Sequence, residues 1–249
     1  MIDIEICKNL FCEYVKTYDM NNPKIFLKEK HTFRVMEFCE KIAKSLNLSD
    51  DDIKLSMLIG LLHDIGRFEQ LKVYDTFSDL DSIDHADYGV EILKKDNFIE
   101  QFVSDKKIQE LVLIAVKNHN KYSIENGLDD RTMMFCKIIR DADKLDIFNI
   151  FINEDLRIEK TGSCISEETY NQLINMQLLS EKYIKTKIDY YLKHIGMFFD
   201  LNYEYSFNYV IENKLNEKII DNIIKNHEHE REKLANIKNK LCEFYKNND

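Results

Sequence analysis

The chain has 249 residues, of which one is proline and six are glycine. Antiparallel sheets and β-sandwiches need turn residues at short intervals, so this composition favours long helices. The formal net charge of -10 disfavours general binding to nucleic acid, because the neutralisation of phosphates requires a basic face. A phosphorylated small molecule is still compatible with this charge, since a bound metal supplies local positive charge.

The cysteines and the N-terminal residues indicate a reducing compartment. None of the six cysteines forms a CxxC pair, and most lie in apolar helical patterns, which is typical of buried free thiols. The first residues lack the basic and apolar regions of a signal peptide, and no apolar run approaches membrane-spanning length. We therefore expect a cytoplasmic protein without a membrane partner.

Apolar residues that recur at three- and four-residue steps predict a succession of helices. The predicted helices cover about residues 2–18, 27–47, 50–63, 84–96, 105–120, 130–152, 166–175 and 178–199. Residues 67–83 are predicted to form a long polar and aromatic loop, in which Tyr74, Phe77 and Asp79 could shape a substrate pocket. A stretch rich in Tyr and Phe follows at residues 201–211.

The apolar period of residues 216–247 is more regular than that of the preceding segments, and it predicts one long helix. Its seam alternates three- and four-residue steps through Ile220, Ile223, His227, Glu230, Leu234, Ile237, Leu241 and Phe244. Such a seam is typical of a coiled coil, here with two polar positions. This helix either packs back on its own domain or forms a homodimer.

The most informative residues are His63 and Asp64, which end the apolar run 53–62. A buried helix that ends in an imidazole and a carboxylate needs a partner for both, and a divalent metal suits both. His31 lies on the buried stripe of the second predicted helix, and Asp143 lies on the predicted helix 130–152. His119 ends an apolar helix face as His63 does, and it is either a ligand of a second ion or a core histidine.

These residues and their neighbours resemble the HD-domain metal-dependent phosphohydrolases. The resemblance rests on His31-Thr-Phe-Arg-Val, on Leu-Leu-His63-Asp64-Ile-Gly-Arg67 and on Asp141-Ala-Asp143-Lys144-Leu, and it covers about residues 25–150. It implies an all-α fold, an HD-domain helical bundle with additional C-terminal helices. We expect the HD-type domain at residues 1–155. Residues 156–249 are expected to form a helical extension that packs on it or serves oligomerisation.

The resemblance also implies roles for individual residues. The metal ligands would be His31, His63, Asp64 and Asp143, with Asp143 preferred to Asp141 because it follows Ala in the family pattern. His85 would either protonate the leaving group or bind a second metal, and Arg67 would contact the substrate and support catalysis. Lys144 is either a phosphate contact or a solvated helix lysine. The cofactor would be one or two divalent ions, from among Mn, Fe, Mg, Ni, Co and Zn.

Three departures from specialised branches narrow the expected activity. The Glu-Asp pair of the guanosine tetraphosphate hydrolases is replaced by Ile65-Gly66-Arg67-Phe68. The Gly-Tyr-Pro motif of the cyclic-dinucleotide branch is absent. The glutamate that monophosphate nucleotidases place three residues after the Asp is Arg67 here. We therefore predict a metal-dependent phosphohydrolase that acts on a nucleotide or a similar small phosphate ester through a metal-activated water. The alternative is a catalytically silent nucleotide or metal sensor that signals through its C-terminal helices.

Overall fold

The computed structural model describes residues 2–153 and 163–248, and in these residues it contains helices and no strand. The predicted all-α architecture is therefore confirmed. The first seven α-helices, in chain order, are α1 (Ile4–Val15), α2 (Pro23–Ser45), α3 (Asp50–Leu62), α4 (Ile65–Tyr74), α5 (His85–Lys94), α6 (Lys106–Asn118) and α7 (Asp130–Asn153). A 3-10 segment, Lys95–Gln101, follows α5.

Short polar side chains set the beginnings of these helices. Asn22 caps α2, whose first residue is a proline, and the Ser49 hydroxyl accepts a hydrogen bond from the Asp52 amide at the start of α3. Asp84 caps α5 by accepting from the amides of residues 86 and 87. Such caps satisfy amides that the first turn of a helix leaves without partners. The start of α5, and with it the position of His85, is therefore determined locally.

The close packing of α2 against α3 depends on a glycine. A Cβ atom at Gly60 would lie 2.9 Å from both the Cα of Met36 and the Sγ of Cys39. Any larger residue would push α3 away from α2, since real Cβ atoms do not approach other atoms so closely. The packing is what places the end of α3 beside the buried face of α2.

The predicted loop over residues 67–83 is partly wrong. Residues 65–74 form α4, and only the part after Tyr74 is a loop before α5. Ile65, Phe68 and Leu71 recur at three-residue steps and are all buried, so α4 has an amphipathic pattern of its own. The polar and aromatic residues around them obscured this short pattern.

Residues 163–248 contain five more α-helices, α8 (Glu167–Ile174), α9 (Lys187–Gly196), α10 (Glu204–Glu212), α11 (Leu215–Asn226) and α12 (Arg231–Asn248). The predicted helix 178–199 is shortened to α9 because a capping box at Thr186 and Asp189 starts the helix there. The stretch rich in Tyr and Phe contains α10.

The single helix predicted over residues 216–247 is wrong, because the chain breaks between α11 and α12. His227 ends α11 with φ of -135° and ψ of 58°, and a 3-10 turn, Glu228–Glu230, leads into α12. Most apolar members of the predicted seam are buried within one chain on both helices, as Ile220, Ile223, Leu234 and Ile237 show. A homodimer through residues 216–247 remains a prediction, and it would have to use the other faces of these helices.

The chain divides into two compact units, Met1–Asp143 and Lys144–Asp249, and the division falls within α7. The predicted domain boundary between residues 155 and 156 lies outside the described residues. Within the part of the chain that is described, no helix combines the length and the apolar character that crossing a membrane requires.

Candidate metal centre

His63 and Asp64 lie at the junction of two helices. His63 is the C-terminal cap of α3, and Asp64 is the residue before α4, with φ of -105° and ψ of 17°. Consecutive residues of one helix point about 100° apart, but a break between two helices removes this constraint. Both side chains are buried, and the Nε2 of His63 lies 3.3 Å from the Oδ2 of Asp64.

Helices α2 and α7 each bring one further candidate ligand to this junction. The Nε2 of His31, on α2, lies 3.4 Å from the Oδ2 of Asp64 and 3.2 Å from the Oδ1 of Asp143, on α7. The Asp143 oxygen also lies 3.8 Å from the Nε2 of His63. The four residues that the sequence nominated as metal ligands are therefore brought together in the first unit. Asp143 keeps 18% of its side chain exposed, so the cluster reaches solvent on this side.

His85 and His119 join the same cluster from the other side of Asp64. Their Nε2 atoms lie 3.2 Å and 3.6 Å from the Oδ1 of Asp64, and 3.0 Å from each other. His85 opens α5, which packs tightly on α4: a Cβ atom at Gly66 would lie 2.2 Å from the carbonyl oxygen of His85. Only glycine permits this approach. His119 caps the end of α6, where Arg140 of α7 donates to the carbonyl of the preceding residue at 3.1 Å.

The two carboxylate oxygens of Asp64 therefore face different pairs of histidines. Oδ2 faces His31 and His63, and Oδ1 faces His85 and His119. Two triads of possible ligand atoms result, His31 with His63 and Asp64, and Asp64 with His85 and His119, each within 4.8 Å. A third group, His63 with His119 and Asp143, overlaps both. Asp64 is in a position to serve two neighbouring ions.

Hydrogen bonds fix the orientation of three of the imidazoles. The Nδ1 atoms of His63 and His119 lie 2.7 Å from the backbone carbonyls of Gly60 and Val116, three residues earlier in each helix. Because a carbonyl oxygen only accepts, Nδ1 carries a proton in both rings, which leaves the lone pair of the neutral ring on Nε2. In His85 the Nδ1 lies 2.6 Å from the Oδ2 of Asp79. Acceptors of this kind orient histidines that bind metals.

The electrostatic environment keeps the carboxylates ionised and His119 neutral. Burial alone would raise the pKa of Asp64, but Lys28 and the surrounding imidazoles outweigh it and hold this pKa well below its usual range. The pKa of Asp143 is lowered in the same way, against burial, by His31 and His63. Burial lowers the pKa of His119 to about 4. At neutral pH these are the protonation states in which carboxylate and imidazole bind metals.

This donor set fits a divalent metal. The Nε2 of His63 is fully buried and has no hydrogen-bond partner among the described residues, although burying such an atom is costly. The pairs of ligand atoms described above lie 3.0–3.8 Å apart. Neighbouring ligands around an ion with bonds of ~2.1 Å are separated by roughly 3.0–3.4 Å, so a small contraction would suffice. Two nitrogen lone pairs at 3.0 Å, those of His85 and His119, also require a proton or a cation between them.

Lys28 is a member of the site that the sequence interpretation missed. Its Nζ lies 2.6 Å from the Oδ2 of Asp64, and 19% of its side chain is exposed. The signal was its spacing, since Lys28 precedes His31 by three residues and so lies on the same face of α2. A lysine on a helix is usually solvated, and only the position of Asp64 distinguishes this one from its neighbours.

Arg67 lies beside the cluster and is held by the loop after α4. Its Nη1 donates to the Oδ1 of Asp79 at 2.8 Å and to Gln70 at 2.8 Å, and its Nε lies 3.7 Å from the Oδ1 of Asp64. The pKa of Asp79 is lowered, against the effect of burial, by His85 and Arg67. Asp79 therefore connects Arg67 to His85 and positions both.

The remaining acidic candidates and Lys144 have other surroundings. Asp141 and Asp146 are fully buried, and no group of metal-ligating atoms among the described residues includes either of them. Lys144 is also buried, and its ammonium lies 2.8 Å from the Oδ2 of Asp200. Its predicted phosphate contact would require this ion pair to break, and the alternative of a solvated helix lysine is wrong.

The comparison with protein families agrees with this geometry. Residues 29–147 match the family model of the HD domain, and this match supports the resemblance to the HD-domain superfamily. The match contains all six histidines and aspartates of the cluster. No curated protein and no solved structure matches the chain significantly. The HD domain is a domain of metal-dependent phosphohydrolases, and the buried histidines and aspartates form a candidate site for divalent metal.

Proposed function

We propose that this chain is a phosphohydrolase that acts on a nucleotide or a similar small phosphate ester, with a divalent metal as cofactor. The observation that carries the proposal is the position of Asp64, whose two oxygens face two separate pairs of histidines at 3.2–3.6 Å. Carboxylates shared between two ions occur in two-metal hydrolases, where the ions act on the attacking and leaving oxygens.

In this proposal His31, His63, Asp64 and Asp143 hold one ion, and Asp64, His85 and His119 hold a second. Four imidazoles favour a transition metal over Mg, which prefers an oxygen shell. When bound, the metal supplies a nucleophilic water at neutral pH and positive charge for phosphoryl oxygens.

Two cationic side chains would bind the phosphate of the substrate. Lys28 and Arg67 approach opposite oxygens of Asp64, and 19% and 16% of their side chains remain exposed. The Nη1 of Arg67 is already used by Asp79, so the other guanidinium nitrogens remain for the substrate. Hydrogen bonds from cations to phosphate are the stronger kind and orient the group that reacts.

The ring of Phe77 lies close to both of these cations. Its ring centroid lies 5.6 Å from the Nζ of Lys28 and 5.9 Å from the guanidinium carbon of Arg67. An aromatic ring next to a phosphate-binding pair can stack on a planar base, which supports a nucleotide as substrate. The role of Asp79 would be to position Arg67 and His85, and it would not contact the substrate.

The test is turnover by the purified full chain with a panel of nucleoside mono-, di- and triphosphates, cyclic nucleotides and simple phosphate esters. Each substrate is measured with Mn²⁺, Fe²⁺, Co²⁺, Ni²⁺, Zn²⁺ and Mg²⁺ and after chelation. We expect metal-dependent release of phosphate or of a nucleotide product, abolished in Asp64→Asn. Asp81→Asn is the matched control, since Asp81 is an exposed aspartate of the neighbouring loop.

Two other outcomes would contradict the proposal in different ways. Nucleotide binding without turnover under any metal would favour the sensor that the sequence left as the alternative. Protein purified without chelators that holds no stoichiometric metal and binds none on titration would contradict both, and would leave a helical interaction protein.

A further inference from the structure

A second group of metal-ligating side chains lies in the C-terminal unit. Cys164 comes shortly before α8, whereas His229 and Glu230 belong to the 3-10 turn that leads into α12. One ligand atom from each of the three residues lies within 4.8 Å of the others. Residues more than 60 positions apart in the chain are thus brought to one place. None of them belongs to the HD-domain match or to the metal centre around Asp64.

A backbone carbonyl also orients the imidazole of this group, although it does so through the other ring nitrogen than in His63 and His119. The Nε2 of His229 lies 3.1 Å from the backbone carbonyl oxygen of Ser163, the residue before Cys164. The ring nitrogen that faces a carbonyl carries the proton, so the neutral ring keeps its lone pair on Nδ1. A backbone carbonyl in this role is a common outer partner of histidines that bind metals.

The carboxylate of Glu230 is the least expected member of the group. Glu230 is only 8% exposed, although glutamates are rarely buried without a charged partner. The Cys164 thiol shares a hydrogen bond with it, and this bond raises the pKa of the thiol. The nearby Lys233 has its ammonium 2.6 Å from Glu167, so its charge is already committed to another carboxylate. A cation between Cys164 and Glu230 would replace the thiol proton, which passes to solvent.

We propose that Cys164, His229 and Glu230 form a second metal site, for Zn²⁺ or a similar borderline divalent ion, independent of the hydrolytic centre. Thiolate, imidazole and carboxylate are the three ligand types that Zn²⁺ takes in proteins, and three protein ligands leave one position for water. The ion would join the segment before α8 to the start of α12. Its role is to cross-link this unit, and the proposal does not depend on the phosphohydrolase activity.

Cobalt distinguishes this site from the first one. A thiolate bound to Co²⁺ gives a charge-transfer absorption in the near ultraviolet, whereas the cluster around Asp64 offers imidazoles and carboxylates only. The full chain is stripped of metal with a chelator, kept reduced and titrated with Co²⁺. The centre around Asp64 also takes Co²⁺ but gives no thiolate absorption, so we expect the absorption to reach the amplitude of one thiolate site per chain by three equivalents in total. This amplitude should be unchanged in Asp64→Asn and should disappear when Zn²⁺ is added in excess of all the sites.

Variants of the ligands and of a second cysteine complete the experiment. Cys164→Ser should lose the absorption, and His229→Gln should bind Co²⁺ at least ~10-fold more weakly, since even outer partners of a metal contribute ~10–100-fold. Cys242→Ser is the control, because Cys242 is a partly exposed thiol of α12 outside the group. The proposal is overturned if the wild-type chain shows no charge-transfer absorption, or if the absorption persists in Cys164→Ser or depends on Cys242.

Discussion

Both compact units contain buried histidines, but these histidines have different neighbours. In the first unit, four buried imidazoles each have an Nε2 within 3.2–3.6 Å of an oxygen of Asp64: His31, His63, His85 and His119. In the second unit, His194 is equally buried, but its ring lies against Phe151 with the centroids 3.5 Å apart. Its Nδ1 lies 3.2 Å from the carbonyl oxygen of Tyr191.

The difference shows what turns buried histidines into a metal site. Burial lowers the pKa of His119 to about 4 and that of His194 to about 3, so both rings are neutral at pH 7. Neutral imidazole next to an aromatic ring is simply a core residue. Neutral imidazoles whose lone pairs face ionised carboxylates repel them, and a cation between them removes the repulsion.

The largest expected effect comes from His63, which the comparison identifies as an imidazole that faces a carboxylate rather than an aromatic ring. His63→Ala deletes a ligand of the first ion and a ring that lines Asp64, so we expect turnover to fall by at least ~10³-fold. Outer partners of metals already contribute ~10–100-fold. Steady-state kinetics and metal analysis of the folded variant measure this. His229→Ala is the control, and equal losses in both variants would contradict the assignment.

The second prediction concerns the number of ions. His119→Ala should lower the affinity of the second ion by ~100-fold or more and reduce the metal content from two ions to one per chain. Metal analysis after equilibrium dialysis measures the content. His85→Ala should behave in the same way if His85 is a ligand. If His85 is the proton donor instead, its variant keeps two ions and loses turnover with a changed pH profile.

The third prediction separates substrate binding from metal binding. Lys28→Met removes a cation that we assign to the phosphate, so kcat/KM should fall ~10- to 100-fold, mainly through KM, with the metal content unchanged. A hydrogen bond to a charged group contributes ~1.5–3 kcal/mol, which corresponds to this range. Lys30→Met on the same helix is the matched control, since Lys30 is exposed and contacts the ring of Phe26. A KM that stays constant would refute the role of Lys28.

The smallest expected effect concerns the second unit and the pH dependence of its stability. The pKa of His194 is lowered to about 3 by burial, so between pH 6.5 and about 3 the unfolded chain binds one more proton at this position than the folded chain. The wild type should therefore lose stability as the pH falls below 6.5. In His194→Leu this loss should be smaller by about 2 kcal/mol between pH 7 and pH 5. Urea unfolding at both pH values measures it, and parallel losses in the two proteins would show that His194 is not the titrating group.

The fold could be predicted from the sequence where a helix is long and its apolar period is regular. Helices α6 and α7 lie within two residues of their predicted bounds for this reason. The failures are local. Helix α4 has one short apolar stripe among polar residues, and the 216–247 pattern continues across the break at His227 because both helices supply residues with the same period. Periodicity records which residues are buried and not whether the chain between them is straight.

The candidate site divides in the same manner. His63 and Asp64 could be identified from the sequence, since an imidazole and a carboxylate at the end of a buried helix need a cation. The short motifs around His31 and Asp143 identified the other two ligands through the family resemblance. Lys28 and the link from Asp79 to Arg67 and His85 could not be identified, because a helix lysine and a loop aspartate look the same in sequence whatever they face. Their roles depend on contacts between α2, α4 and the loop before α5.

The sequence by itself determined the helical class, the metal-ligating residue types and the family pattern that joins them, because composition, period and local motifs are properties of the chain. Only the tertiary structure decided how these ligands are shared. The glycines at 60 and 66 let helices approach closely enough that one carboxylate, Asp64, faces two pairs of imidazoles. That sharing is a matter of distances between helices, and no spacing along the chain encodes it.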